Sequence, residues 1–446
     1  MALNKMKKWF VLLLISTCLG LSSFSQDKFI IQNNKQTEKI KFKLINNLIV
    51  FPVEINGVTL SFLLDTGVSK PIIFNFLHVS DTLLTKNTET IYLKGLGGGE
   101  PVKALKSTQN IFKIGDAVKI DQDLYAIFNN DLNLAPRLGI PVHGIIGLDV
   151  FKDLIVEINY SKGFLKLSNP ESYKYKRCRK CEQLNLEFYN GKPYVNAKVE
   201  IENKKIPVKL LIDTGGSDAL WLFEDDSLGI KSSEKFFYDF LGHGLAGSVY
   251  GKRSKVRSFQ FNSFVLKNAN VAFPNAENVF SATQIKDRNG SVSGNILKRF
   301  NIIFNYKKAS MIISKNNKFR NSFSYNKSGI ELAHNGFRVL REIKNNSVKV
   351  NATTEASNDN IIKTNHYKIS LKPAYAIVEL REGSPAAEAG FKTGDVVLSI
   401  NGKSSHEFTL HQVMQMFYAD HGKRIRLRID RDGEILNLSF NLQKLF

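Results

Sequence analysis

Apolar and polar positions alternate in short runs along most of the chain. "LIVFPVEI" (48–55), "VTLSFLL" (58–64), "LIVEIN" (154–159) and "FLKLS" (164–168) carry an apolar residue at every second position or a brief unbroken apolar stretch, and Gly, Asn and Asp separate them. This is the pattern of strands with one face on a core, joined by tight turns. It predicts an all-β region reaching to about residue 316, with no long helix of 3.6-residue period. From about residue 323 the pattern changes. "AIVELREGSPAAEAGFKTGDVVLSINGK" (376–403) reads as a strand, then Gly383-Ser384-Pro385 capping a short alanine-rich helix, then a second strand ending at an Asn401-Gly402 turn. "TLHQVMQMFYAD" (409–420) places Leu410, Val413, Met414 and Phe417 on one helical face, which marks them as core. "RIRLRIDRDGEILNLSF" (424–440) reads as a closing hairpin turning at Asp432-Gly433.

Two of the apolar runs end on a carboxylate. "FLLDTGVSK" (62–70) and "LLIDTGGSD" (210–218) share the triplet Asp-Thr-Gly, at Asp65–Gly67 and Asp213–Gly215. One such triplet is most simply a turn, because Asp bonds its own backbone and Gly turns easily. Two copies at an offset of 148 (213 − 65) bring other features into line. "FPVEINGVTLSFLLDTG" (51–67) faces "VNAKVEIENKKIPVKLLIDTG" (195–215), a hairpin ending at each Asp. The glycine-rich "KGLGGGE" (94–100) faces "FLGHGLAGSVYGK" (240–252). Finally "HGIIGLDVFKDLIVEINYSKGFLKLS" (143–168) faces "VSGNILKRFNIIFNYKKASMIIS" (292–314), which pairs Ile145, Ile146 and Gly147 with the looser Gly294, Asn295, Ile296 and Leu297. The region is thus read as two homologous lobes.

Composition narrows the class. With 43% hydrophobic and 11% aromatic residues the 446-residue chain is globular, and its length calls for about three domains. Lys5, Lys7 and Lys8, then "WFVLLLISTCLGL", then "SSFSQ" have the order of a secretory signal peptide, with cleavage expected near Ser25. The alternatives are an N-terminal anchor, for which the apolar run is short, and lipidation at Cys18, for which Thr17 is an awkward neighbour. Removal of that segment leaves Cys178 and Cys181 in "CRKC", a disulfide candidate in an exported chain. The net charge of +21 is scattered among asparagines without forming a stripe, so no nucleic-acid partner is expected, while peripheral association with an anionic envelope surface stays open. His78, His143 and His243 are isolated, and no metal or other cofactor is expected. "GLGGGE" lacks the Lys-Ser/Thr ending of a phosphate loop.

On the paired D-T-G triplets, the glycine-rich hairpins and the apolar-Gly segments, residues from about 40 to 316 resemble the pepsin/retropepsin class of aspartic proteases in its single-chain, two-lobe form. The resemblance implies a mainly β fold of two acid-protease barrels. It also implies Asp65 and Asp213 as a catalytic dyad that needs no cofactor. Two carboxylates held together cannot both ionise, so one keeps a proton and the other can activate water. Thr66, Gly67, Thr214 and Gly215 would support the catalytic loops, and Gly95, Gly97, Gly98, Gly242 and Gly244 are candidates for mobile flaps, with Tyr92 and Tyr250 as candidate flap tyrosines. The chain departs from the pepsin pattern at Val68 and Gly216, where a hydroxyl is usual; Ser69 and Ser217 follow one step later. Loss of a hydrogen bond to an ionised Asp makes it harder to ionise, so a less acidic optimum than pepsin's is expected.

The 376–440 pattern resembles the PDZ domain, which binds an extended peptide C-terminus as an added strand. "YNKSGIEL" (325–332) offers Ser328, Gly329 and Ile330 as the carboxylate-binding loop, and the Asn-rich 343–370 reads as a polar insertion. The expected organisation is a signal peptide (1–25), lobe 1 (26–168), a linker (169–181), lobe 2 (182–316) and a PDZ domain (323–446). The whole is similar to exported bacterial aspartyl proteases with a C-terminal PDZ domain. Two functions follow: an endopeptidase acting on peptide or protein substrates, with a PDZ domain that takes free C-termini, or an inactive envelope scaffold that keeps the cleft as a peptide groove. A periplasmic, cell-envelope or secreted location is expected in either case.

Overall fold

A computed structural model describes residues 27–74, 88–93, 95–128, 134–344 and 366–446. The expected signal peptide, His78 and most of the expected insertion lie outside these residues. Three sheets, with nine, thirteen and six strands among the described residues, build the molecule.

The two lobes are built alike. In the first, Leu48–Ile55 and Val58–Leu64 form a hairpin buried along most of its length, with Val50 opposite Leu63. Its two-residue turn, Asn56-Gly57, has positive φ at both positions, as a right-twisted hairpin requires. Gly144–Ile146 then lies parallel to Val58–Leu64, pairing Ile146 with Leu64, and the Asp65 amide donates to the Ile146 carbonyl at 2.9 Å. In the second lobe Lys192–Ile201 and Lys204–Asp213 make the hairpin, and Arg288–Ser293 is the parallel neighbour, pairing Val292 with Ile212. Each Asp thus leaves a buried central strand at the point where a parallel partner ends.

This register corrects one expectation. The counterpart of Ile145-Ile146-Gly147 is Ser291-Val292-Ser293, because Val292 pairs beside the Asp as Ile146 does. Gly294–Leu297 is instead the short helix that follows, matching Leu148–Asp153.

The lobes join through an antiparallel layer in which Ile155–Asn159 pairs with Phe300–Asn305. Val156 lies opposite Phe304, itself 148 residues away, so the pseudo-twofold axis that relates the two Asp residues also passes through this pair. One continuous apolar core, including Phe62, Ile146, Val156, Ile212 and Phe304, runs through both lobes. Burying each such side chain contributes about 1.5–3 kcal/mol, which welds the lobes into one unit. Residues 169–180, with no regular structure, connect the lobes, and Cys178 is disulfide-bonded to Cys181 within them and the strand that follows.

The third sheet has its own core, built from Ile330, Tyr375, Val397, Val413, Phe417, Ile429 and Phe440 among others. Its strand order runs Ile330–Lys344, His366–Leu380, Val396–Ile400, Arg424–Arg431, Glu434–Asn441. Ser384 caps the helix Pro385–Glu388 by accepting the Ala387 amide, and Thr409 caps Leu410–Met416 in a reciprocal box with Gln412. Two boundaries differ from expectation. Phe323 packs in the core of the two lobes, and the Tyr325 hydroxyl donates to the Ser254 carbonyl, so this sheet starts at Ile330 and not at 323. The edges of the expected polar insertion, 343–344 and 366–370, are strand.

Candidate active site

Both D-T-G loops meet at the pseudo-twofold axis. The Thr66 hydroxyl donates to the Ile212 carbonyl at 2.5 Å and accepts the Thr214 amide at 3.1 Å. Thr214 returns both bonds, to the Leu64 carbonyl at 2.8 Å and from the Thr66 amide at 3.0 Å. Both threonines are buried, so four backbone groups that water cannot reach are satisfied by two side chains. The carboxylates converge beside this lock. The Gly67 amide donates to Asp65 Oδ1 at 2.6 Å and the Gly215 amide to Asp213 Oδ1 at 3.0 Å. A Cβ on Gly67 would lie 3.0 Å from Asp65 Oδ1 and 3.8 Å from Asp213 Oδ1, and one on Gly215 would overlap the Asp65 carboxylate across the lobe boundary. At Gly215 only glycine lets the backbone approach the opposite acid so closely, whereas at Gly67 the tight contact is with its own Asp65.

Burial, followed by the charge of Asp213, pushes the Asp65 carboxyl up to about 7. Burial raises Asp213 too, against the guanidinium of Arg288. The pair titrates as a unit and holds one proton over a range that reaches neutrality. Desolvation is the first cause of the raised value and the charge of Asp213 the second. Ser293 in fact brings a hydroxyl to the second site: a Cβ on Gly216 would lie 2.6 Å from Ser293 Oγ and 2.9 Å from Asp213 Oδ2. Ser69 and Ser217 serve the lobe contact instead. Ser69 Oγ donates to the Asn190 carbonyl at 3.1 Å, and the Ser217 carbonyl accepts from Asn47 Nδ2 at 2.6 Å. Each lobe therefore sends the tip of a hairpin, at Asn47 or Asn190, onto the other lobe's Asp-Thr-Gly loop.

Sequence reading missed three neighbours of the dyad. The charge of Lys192, which follows the Asn190 tip, favours ionisation of both acids, and burial with the nearby Arg288 pulls its own ammonium down. Arg288 is likewise lowered by burial, and the half-buried Tyr306 lies where the charge of Asp65 reaches it, its hydroxyl raised by desolvation first. Only their distance from the triplets along the chain concealed them; a basic residue at a hairpin tip is otherwise ordinary.

The glycine-rich hairpins read as candidate flaps are present in both lobes and meet tip to tip. Thr88–Leu93 with Val102–Ile114, and Phe237–Gly244 with Gly247–Phe261, are the two hairpins. The Gly99 amide donates to the Ala246 carbonyl at 3.0 Å and the Ala246 amide to the Leu96 carbonyl at 2.8 Å. Gly95, Gly97 and Gly244 lie in this junction, where any Cβ would overlap the opposite tip, and Gly98 rests against Glu277. Gly242 stands at a bulge away from it, with open space around. Neither candidate tyrosine belongs to the junction: Tyr92 is exposed, and Tyr250 donates to Glu379 of the third domain at 3.4 Å. His143 accepts the Ser61 amide at 3.1 Å, and His243 stands edge-on to Phe240 in the second flap.

Ser328, Gly329 and Ile330 lead into the edge strand of the third sheet, with their amides turned inward. Ser328 N and Gly329 N donate to Asn326 Oδ1 at 3.0 and 3.4 Å, and Ile330 N donates to Ser328 Oγ at 3.0 Å. Among the described residues no group of three or more His, Cys, Asp or Glu side chains is gathered to hold a metal ion, and no helix is long and apolar enough to cross a membrane.

Comparison with known proteins agrees with this geometry. Residues 51–150 match the family described as aspartyl protease, and residues 377–431 match the PDZ domain. No curated protein matches the chain. The protease match falls within the first lobe, and the second lobe repeats its topology about the axis between the two Asp residues. The chain therefore carries an aspartyl protease domain followed by a C-terminal PDZ domain, and it is mainly β.

Proposed function

We propose that the protein is an aspartic endopeptidase with Asp65 and Asp213 as its dyad. The ionised partner takes a proton from a water molecule, whose oxygen forms a bond to the scissile carbonyl carbon while the protonated partner donates to the developing oxyanion. Collapse of the tetrahedral adduct breaks the C–N bond, with a proton delivered to the leaving nitrogen. The observation that carries this reading is the convergence of two half-buried carboxyls, one pushed up to about 7, at an interlobe lock made by their own threonines. The joined flap tips would cover a bound chain and exclude water. The PDZ domain takes a peptide or protein ligand with a free C-terminus. Export is proposed from the N-terminal sequence, and the Cys178–Cys181 disulfide suits an oxidising compartment.

The test is cleavage of a diverse peptide mixture by the chain without residues 1–25, beside Asp65→Asn and Asp213→Asn, from pH 4 to 8. Each variant should lose on the order of a thousandfold or more in turnover. No cleavage by the parent at any pH, with peptides still bound, would replace this reading by the inactive scaffold.

A further inference from the structure

A PDZ domain receives its ligand as a strand added to an exposed sheet edge. Here Ile330–Lys344 is an edge strand of the third sheet, and the helix Leu410–Met416 packs beside it. Strand and helix are the two walls of the groove, and part of the protease lies between them. The short helix Ala135–Leu138 of the first lobe rests against the strand. The residue after it, Gly139, meets both walls. Its backbone is hydrogen-bonded to the His334 side chain, and a Cβ on it would come 2.8 Å from Leu410 Cβ. Next along the groove helix, His411 Nδ1 shares a 3.3 Å hydrogen bond with Asn46 at the tip of a first-lobe hairpin.

The other end of the groove is also closed. The Lys327 amide donates to the Phe417 carbonyl at 2.9 Å, and its ammonium reaches the Tyr418 carbonyl at 3.1 Å. The amides of Ser328, Gly329 and Ile330, which would receive a terminal carboxylate, are committed within their own loop. The loop and the end of the helix are thus bonded to each other and not to a ligand strand.

The covering segment is tied to the second flap. Arg137 bonds Glu379 at 3.0 Å, and its guanidinium lies 4.7 Å over the ring of Phe240 in the flap strand. The other Glu379 oxygen accepts from Tyr250 in the opposite flap strand at 3.4 Å. Beside it, Arg381 faces Asp239 at 3.9 Å. Glu379 is thus a shared anchor for the covering segment and for the flap.

We propose that residues 135–139 are the resident occupant of the PDZ groove, that a peptide with a free C-terminal carboxylate competes with them there, and that their departure frees the second flap. Only the consequence at the flap rests on the peptidase reading; occupancy of the groove stands apart from it. A ligand that must displace an occupant binds with an affinity lowered by the fraction of open groove, so loosening the occupant raises it.

The test uses the chain without residues 1–25 in an Asp65→Asn background, so that probes survive. The probe is an array of random decapeptides ending in a free carboxylate, with the same array amidated as control. Arg137→Glu sets two like charges against each other and should raise retention about tenfold on the carboxylate array alone. The charge swap Arg137→Glu with Glu379→Arg should return retention to the parent level. Hydrogen exchange should quicken at 134–140 and in the flap strand Phe237–Gly244 of Arg137→Glu, while the strand Lys204–Asp213 keeps its protection and certifies the fold. Should Arg137→Glu lose that protection, Glu379→Gln provides the same comparison. Equal retention in parent and folded variants, or a rise shared by the amidated array, overturns the proposal. Array peptides retained by the variant should in turn raise kcat/KM of the catalytically intact chain several-fold. A chain that cleaves nothing defeats the peptidase reading, and the retention and exchange results still decide the occupancy of the groove.

Discussion

In the first lobe the residue that follows the turn at Asn46-Asn47 is Leu48, buried in an apolar cluster. In the second lobe the same place, after the turn at Asn190-Gly191, holds Lys192, whose charge reaches both carboxyls. At the axis the lobes are identical: Asp, Thr, Gly and a later Ser recur at the common offset of 148. The reason is reciprocity. Thr66 and Thr214 each satisfy the other loop's backbone, so a change in one leaves buried groups of its twin unpaired. Beyond the first contacts no such exchange is required, and the lobes diverge. Lys192, Arg288 and the PDZ contacts of the flap all lie on the second-lobe side.

The symmetry at the axis can be broken most severely by Thr66→Val or Thr214→Val. Each should cost roughly 2–5 kcal/mol, because a buried amide and a buried carbonyl lose their partner together. Calorimetry should record a fall in Tm of several degrees, equal for the two variants within about 1 kcal/mol, and Ser at either site should restore most of it. A large loss in one lobe beside tolerance in the other would end the claim of equivalence.

The pH dependence probes the dyad as a pair. Since Asp65 is pushed up to about 7, kcat/KM should fall as pH rises through about 7, when the shared proton is lost. The same shift acts on stability with a definite sign. The folded chain binds this proton more tightly than the unfolded one, so stability declines from about pH 4 to about pH 7 and is level above. Asp65→Asn should therefore be more stable than the parent at pH 8, by on the order of a few kcal/mol, and indistinguishable at pH 3.5. Denaturant titrations at the two pH values measure this difference.

The smallest effect should come from giving the second lobe the first lobe's residue. Lys192→Leu removes a cation that favours the ionised acids, so the alkaline limb of the kcat/KM profile should move to higher pH. A profile unmoved by Lys192→Leu would mean that the lobes do not differ electrically at the dyad.

How much of this was legible along the chain varied by element. Hairpins ending at Asp65 and Asp213 were readable, because strand alternation and turn residues are local properties, and the capped helix Leu410–Met416 was readable for the same reason. The parallel partner in the second lobe was not. Ser291-Val292-Ser293 has little of the apolar-Gly character of Ile145-Ile146-Gly147, and the backbone ladder that makes them equivalent ignores side-chain type. The tyrosine candidates failed because a hairpin strand does not say what its exposed residues face; Tyr250 faces the PDZ domain.

Local sequence was enough to specify the repeated lobe, the two carboxylates at strand ends, the glycines beside them and the PDZ domain after them. All of these rest on periodicity, turn chemistry and residue identity within a few positions. Only long-range packing makes the threonines lock across the axis, joins the two glycine-rich tips, brings Lys192 near the two acids and sets Arg137 and Gly139 of the first lobe against the PDZ domain. Each depends on contacts between residues far apart in the chain. The raised value of Asp65 belongs with them, since desolvation is set by everything that packs around a group.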